Sequence, residues 1–189
     1  MIPKKIALIG FAFLCLIQLY IAGGMVRQNE GIIRTGEVIK LRTAPLDPND
    51  PFRGKYITLD FPDISIKAAD ASAWKYDEIG YVIFVEDTAG FHIPDHISKV
   101  VPTESDLYLA VRIKSIINSP NEQLLYFEYP FDRFYLEETK APQAEQKYRE
   151  ALSDASIRTY AKIFVQDGKG VIDNVYIGEL MIGDLTIDD

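Results

Sequence analysis

The chain reads as a mainly β, α+β protein: an antiparallel sheet or sandwich with one clear helix near 142–153, preceded by an N-terminal transmembrane helix. Three observations carry this reading. Residues 6–25 form twenty successive positions without Asp, Glu, Lys or Arg. Beyond them, apolar residues recur at every second position in stretches of seven to twelve residues bounded by turn-forming residues, the period of half-buried strands. Only around Tyr148, Ala151, Leu152 and Ala155 does the spacing become helical.

The first element follows from length. At about 1.5 Å rise per residue, twenty helical residues match the roughly 30 Å hydrocarbon core of a bilayer, and Gln18 is the lone polar interruption. The run exceeds the usual signal-peptide core of about 7 to 15 residues, so it reads as an uncleaved anchor, with a cleaved signal ending at Ala22-Gly23-Gly24 as the alternative. Lys4 and Lys5 precede the span, and Arg27 and Glu30 follow it. Lysine and arginine are preferentially retained in the cytoplasm, so the expected topology has a cytoplasmic N-terminus and an extracytoplasmic remainder, periplasmic or extracellular. The organisation expected is therefore residues 1–25 as a membrane anchor and 26–189 as a single extracytoplasmic β-rich domain, long enough for a real core.

Composition narrows the function classes. The lone cysteine, Cys15, lies within the apolar run behind Phe13-Leu14, without the small residues of a lipoprotein signal, so the rest of the chain has no thiol and rests on packing alone. Beyond residue 25, eighteen basic residues face twenty-eight acidic ones, a net charge of −10. No run of Lys or Arg is available to displace counterions from a phosphate backbone, which removes nucleic acid as a partner and disfavours anionic lipid surfaces.

Strand-like runs lie at 36–42, 55–61, 80–86, 106–117, 123–129, 159–166 and 170–178, rich in Val, Ile, Tyr and Phe. Asn118-Ser119-Pro120-Asn121 and Asp167-Gly168-Lys169-Gly170 read as hairpin turns, since Asp-Gly supplies the positive φ such turns require, and consecutive strands should pair antiparallel. The helix begins near Pro142, whose fixed φ suits a first turn, with Glu145 and Arg149 spaced i,i+4 on its outer side. Residues 63–78 read as a long loop or a second short helix.

The densest cluster of special residues is 42–61, where Pro45, Pro48, Pro51 and Gly54 force a rigid bend before a strand. Asp47, Pro48, Asp50, Phe52, Arg53, Gly54, Tyr56 and Leu59 resemble the GDYXXLXY family, bacterial membrane-anchored proteins named for a Gly-Asp-Tyr-x-x-Leu-x-Tyr motif. Lys55 stands where the motif has aspartate, and Phe61 where it ends in tyrosine. Tyr129-Pro130-Phe131-Asp132-Arg133-Phe134-Tyr135-Leu136 resembles a second family segment, and the hairpin around residues 165–177 fits as well. The resemblance implies an N-terminal anchor, an exported domain without an established activity, and genes often placed beside one for a multi-pass membrane protein, a possible partner.

As a candidate binding site we take Arg53, Gly54, Tyr56 and Arg133. Arginine presents a planar fork of donors to carboxylate or phosphate, Gly54 permits close backbone approach, and Tyr56 packs beside it. The competing reading is structural, with Arg53 tying Asp47 or Asp50 to the loop and Tyr56, Leu59 and Phe61 in the core. Asp132 and Arg133, adjacent on a strand, should project to opposite faces and have distant partners.

Catalytic and metal readings find less. The layout of a membrane anchor and β-rich domain invites comparison with type I signal peptidases, yet no serine nucleophile occurs before residue 63. His92 and His96 stand four apart around Pro94, which argues against a zinc-binding helix and for a solvated hairpin loop. No cofactor is implied. An interaction or accessory subunit of a membrane complex is the first expectation. A binding module for a cell-envelope ligand, probed by Trp74, is the second, and a hydrolase on carboxylates such as Asp60, Asp63 and Glu128 the third.

Overall fold

In a computed structural model, residues 3–44, 56–102, 107–136, 146–148, 150, 151 and 157–184 are described. The chain is mostly β, built on antiparallel sheets, with one long N-terminal helix. That helix, α1 (Lys4–Thr35), has thirty-two residues and is therefore about 48 Å long. Among its described side chains the apolar part is exposed except at half-buried Cys15, whereas the ten residues beyond Met25 carry it onto the sheet without a linker. Ile32 is buried there, and Gln28 and Ile32 line a cleft with Gln166, Asp167 and Lys169.

The handover from helix to strand takes one residue. Gly36 donates its N–H to the Ile32 carbonyl at 2.8 Å, and the Thr35 hydroxyl lies 3.1 Å from Gln166 Oε1. A Cβ on Gly36 would stand 2.5 Å from the Ile32 carbonyl oxygen and 2.9 Å from that of Val165, so a residue without a side chain is what lets strand and helix end meet.

Eleven strands follow among the described residues: β1 (Glu37–Arg42), β2 (Tyr56–Thr58), β3 (Ser65–Lys67), β4 (Ile79–Glu86), β5 (His92–Ser98), β6 (Tyr108–Ser119), β7 (Glu122–Glu128), β8 (Arg133–Tyr135), β9 (Thr159–Gln166), β10 (Lys169–Ile177) and β11 (Leu180–Met181). They form a four-stranded sheet in the order β1-β9-β10-β11, a five-stranded sheet β3-β7-β6-β4-β5, and a two-stranded ribbon β2-β8. Both expected hairpins are present. Ser119 pairs with Glu122, and the β9–β10 turn has Asp167 at φ 50° and Gly168 at φ 74°, the left-handed pair of a tight hairpin.

Alternation in β9 places Ala161, Ile163 and Val165 inward beside Ile39, Leu41 and Val175. They pack in one hydrophobic cluster with Val82, Leu109, Val111, Ile113, Leu125 and Phe127 of the five-stranded sheet. Two joints lock the sheets. The β9–β10 turn reaches β6, where Ala110 N–H donates to the Gly168 carbonyl at 2.9 Å. On β1, Arg42 pairs with Asp87 and lies over the Phe91 ring at 4.6 Å, and Phe91 meets the Tyr160 ring edge to face at 5.5 Å. Backbone N–H groups of Phe91 and Ala89, with the Arg42 guanidinium, hold the Asp87 carboxyl below its ordinary range.

Several expectations change. Residues 63–78 contain the short strand β3 and a 3₁₀ turn, Ala71–Ala73, capped by Asp70 accepting from the Ser72 N–H. His92 and His96 lie on β5 and not in a loop, because Pro94 is accommodated on an edge strand beside a register shift. Of the helix near 142–153, residues 146–148, 150 and 151 are helical, with Tyr148 and Ala151 buried as its apolar stripe requires; both its ends lie outside the described residues.

Candidate functional site

The two family-like segments, far apart in sequence, form one object. Strands β2 and β8 pair antiparallel with Tyr56 opposite Tyr135, Ile57 opposite Phe134 and Thr58 opposite Arg133. Leu59 N–H donates to the Asp132 carbonyl at 2.8 Å and extends the contact. Alternation then divides the ribbon. Ile57 is buried, and beyond it Leu59 and Phe61 are buried as well, whereas Tyr56, Thr58, Arg133 and Tyr135 share the opposite face.

Phe61, the residue in the motif's last aromatic place, explains why that place is aromatic. It meets Tyr129 and Phe131 edge to face, with centroids at 5.1 and 5.8 Å, and Tyr129 in turn donates its hydroxyl to the Asp63 carbonyl at 2.8 Å. This cluster continues through Phe127 and Phe84 into the core, so the ribbon is anchored by aromatic packing along one edge.

On the other face, the Arg133 guanidinium sits over the Tyr56 ring at 5.0 Å, and the Tyr56 and Tyr135 rings lie 5.5 Å apart. Arg133 Nε is 3.6 Å from Asp132 Oδ1, so the expectation of distant partners for these two residues is corrected: β8 begins at Arg133, and Asp132 lies ahead of the alternation that would have separated them. Tyr135, then the Asp132 carboxylate and Tyr56, raise the Arg133 pKa, and the guanidinium stays charged at any physiological pH. A groove of about 480 Å³ runs from this face to α1, lined by Asn29 of the helix, Arg133, Phe134 and Tyr135 of β8, and Val171 to Asp173 of β10.

Of the four site candidates, Tyr56 and Arg133 are brought together, whereas Arg53 and Gly54 lie outside the described residues. Tyr135 and Asn29 were missed as site residues. Tyr135 was detectable as the residue two beyond Arg133 on a strand, but Asn29 enters only because the helix runs on past the apolar span.

The other candidates are engaged elsewhere. Glu128 pairs with Lys114 at 2.9 Å, Asp60 accepts from the Phe61 N–H at 3.0 Å, and the Asp63 carbonyl holds Tyr129. Trp74 is buried against Gly80, with the Lys99 ammonium 4.8 Å from its ring centroid. Half-buried His92 accepts from the Lys40 N–H at 3.3 Å, and its burial lowers its pKa. Among the described residues, no three His, Cys, Asp or Glu side chains converge as a metal site.

Fold and site thus define a β-rich protein carried on one N-terminal helix long and apolar enough to cross a membrane, with an Arg–Tyr ribbon beside the C-terminal part of that helix. The chain belongs to the GDYXXLXY family, whose sequence model matches residues 18–175 and so spans both ribbon strands. No curated protein and no solved structure showed significant similarity to it.

Proposed function

We propose that this protein is a single-pass membrane protein whose β-rich part, a single domain outside the cytoplasm, serves as an interaction subunit of a complex with a multi-pass membrane protein. The ribbon face of Tyr56, Arg133 and Tyr135, with Arg53 and Gly54 just ahead of β2 in the sequence, is its contact surface. The observation that carries the reading is the convergence of both family-like segments into one ribbon whose exposed face holds an arginine stacked on tyrosine, residues favoured where protein surfaces bind. Lys4 and Lys5 ahead of the apolar span support the cytoplasmic N-terminus.

Affinity purification from membranes solubilised in mild detergent tests this. The full-length chain should retain a multi-pass protein that Arg133→Ala and Tyr56→Ala retain at least tenfold less well. Loss only on removing residues 1–25 would move the contact into the bilayer, and recovery of the full-length chain alone would end the reading.

A further inference from the structure

We infer that the groove between α1 and the β2–β8 ribbon binds the headgroup of a zwitterionic phospholipid, its phosphate on Arg133 of the groove wall and its ammonium on Asp132, which stands outside that wall, 3.6 Å from Arg133. The inference rests on α1 crossing the membrane and is independent of the protein-partner reading.

The apolar run ends at Val26 and the helix continues unbroken, so Asn29, three residues on, stands about 4.5 Å beyond the hydrocarbon edge. The headgroup layer on each side of the core is about 5–7 Å thick. Asn29 lines the same groove as Arg133 and Tyr135, so that groove opens within this layer. The seat of Ile32 and the Gly36 handover fix the sheet on the helix, which keeps the groove from swinging away.

Arginine offers a fork of N–H donors that matches a phosphate, and tyrosine, with an apolar ring and a polar tip, suits the interface. Tyr135 is 66% exposed, and the Arg133 and Asp132 side chains are 42% and 58% exposed, so all three can reach a ligand. Phe134, Val171 and Ile172 supply an apolar wall for the glycerol and upper acyl chain.

Charge selects the lipid class. Asp173, on the groove wall, is held closely by Lys162 at 2.9 Å, whereas Arg133 and the Asp132 beside it form a looser, more exposed pair at 3.6 Å whose two charges a headgroup carrying both signs can engage together. A phosphate with a primary ammonium matches that pair. An anionic headgroup leaves Asp132 unmatched and meets a region carrying a net charge of −10.

The test is native mass spectrometry of the full-length chain in detergent micelles containing equal amounts of phosphatidylethanolamine, phosphatidylcholine and phosphatidylglycerol. The expected result is retained phosphatidylethanolamine at five times or more the level of either other lipid. Arg133→Gln should reduce retention at least fivefold, and Asp132→Asn should abolish the preference over phosphatidylcholine. Asn29→Leu, altering the groove from the helix side, supplies a second arm if the Arg133 variant changes the circular dichroism spectrum, and it too should lower retention. Equal retention by wild type and variants, or a preference for phosphatidylglycerol, overturns the proposal. A protein captured through Arg133 with no lipid retained also overturns it while upholding the partner reading; lipid retained without a partner does the reverse.

Discussion

Replacing Gly36 with alanine tests whether α1 is seated on the sheet or merely tethered to it. The new methyl would lie 2.5 Å from the Ile32 carbonyl oxygen and 2.9 Å from the Val165 carbonyl oxygen, both backbone atoms that no rotamer change can move. Gly36 has φ −73° and ψ 155°, open to any residue, so the cost is overlap and not backbone strain. Overpacking of this kind costs about 1–3 kcal/mol. For a chain of this size, that is a fall in melting temperature of about 2–12 °C. Gly31, one turn earlier, has nothing within 4 Å of its would-be Cβ, so alanine there should raise the midpoint by a few degrees through the roughly 1 kcal/mol gain in helix propensity. The assay is thermal unfolding of the full-length protein in mild detergent, followed by far-UV circular dichroism. A Gly36→Ala variant melting at or above the wild-type midpoint would show that helix and sheet are not in contact at this point.

Two buried tyrosines should behave oppositely. Tyr129→Phe orphans the Asp63 carbonyl and should cost about 0.5–1.5 kcal/mol in chemical denaturation, whereas the Tyr148 hydroxyl, buried without a hydrogen-bond partner in the described structure, should be removable at no cost or a gain of about 1 kcal/mol. Burial raises the pKa of both, Tyr148 from 10.0 up to about 12. The unfolded chain therefore releases these protons first, so their contribution is intact below pH 10 and declines as pH rises beyond it; each Phe variant should flatten that decline in melting temperature. Asp87→Asn should lower the melting temperature at neutral pH by weakening the joint to Arg42 and the Phe91 N–H. Because the Asp87 pKa is depressed below 3.8, the difference from wild type should shrink as pH falls below about 4, and a difference constant with pH would refute the ionic account.

The strands that could be read were those with long, clean alternation. In Thr159–Gln166 every second residue is buried, so period and boundaries were both legible. β3, β8 and β11 have two or three residues each, too few to establish a period, and β5 carries Pro94 and two histidines that resemble a loop until its place at a sheet edge is known. Arg133 and Tyr56 were marked by residue type and motif, but nothing local pairs them: 76 residues separate the segments, and their register follows from the aromatic packing of Phe61, Tyr129 and Phe131.

By itself the sequence determined that a twenty-residue apolar run would make a helix long enough to cross a membrane, that an alternating remainder would make antiparallel sheet, and that Asp167-Gly168 would close a hairpin. These follow from hydrophobic length, side-chain period and backbone sterics, all properties of neighbours along the chain. Only the tertiary structure decided that the helix runs on past Met25 to seat Ile32, that Gly36 lies against Val165, and that Asn29, Arg133 and Tyr135 line one groove. Those facts depend on which surfaces meet when the core closes, and contacts between distant segments leave no periodic trace in either segment alone.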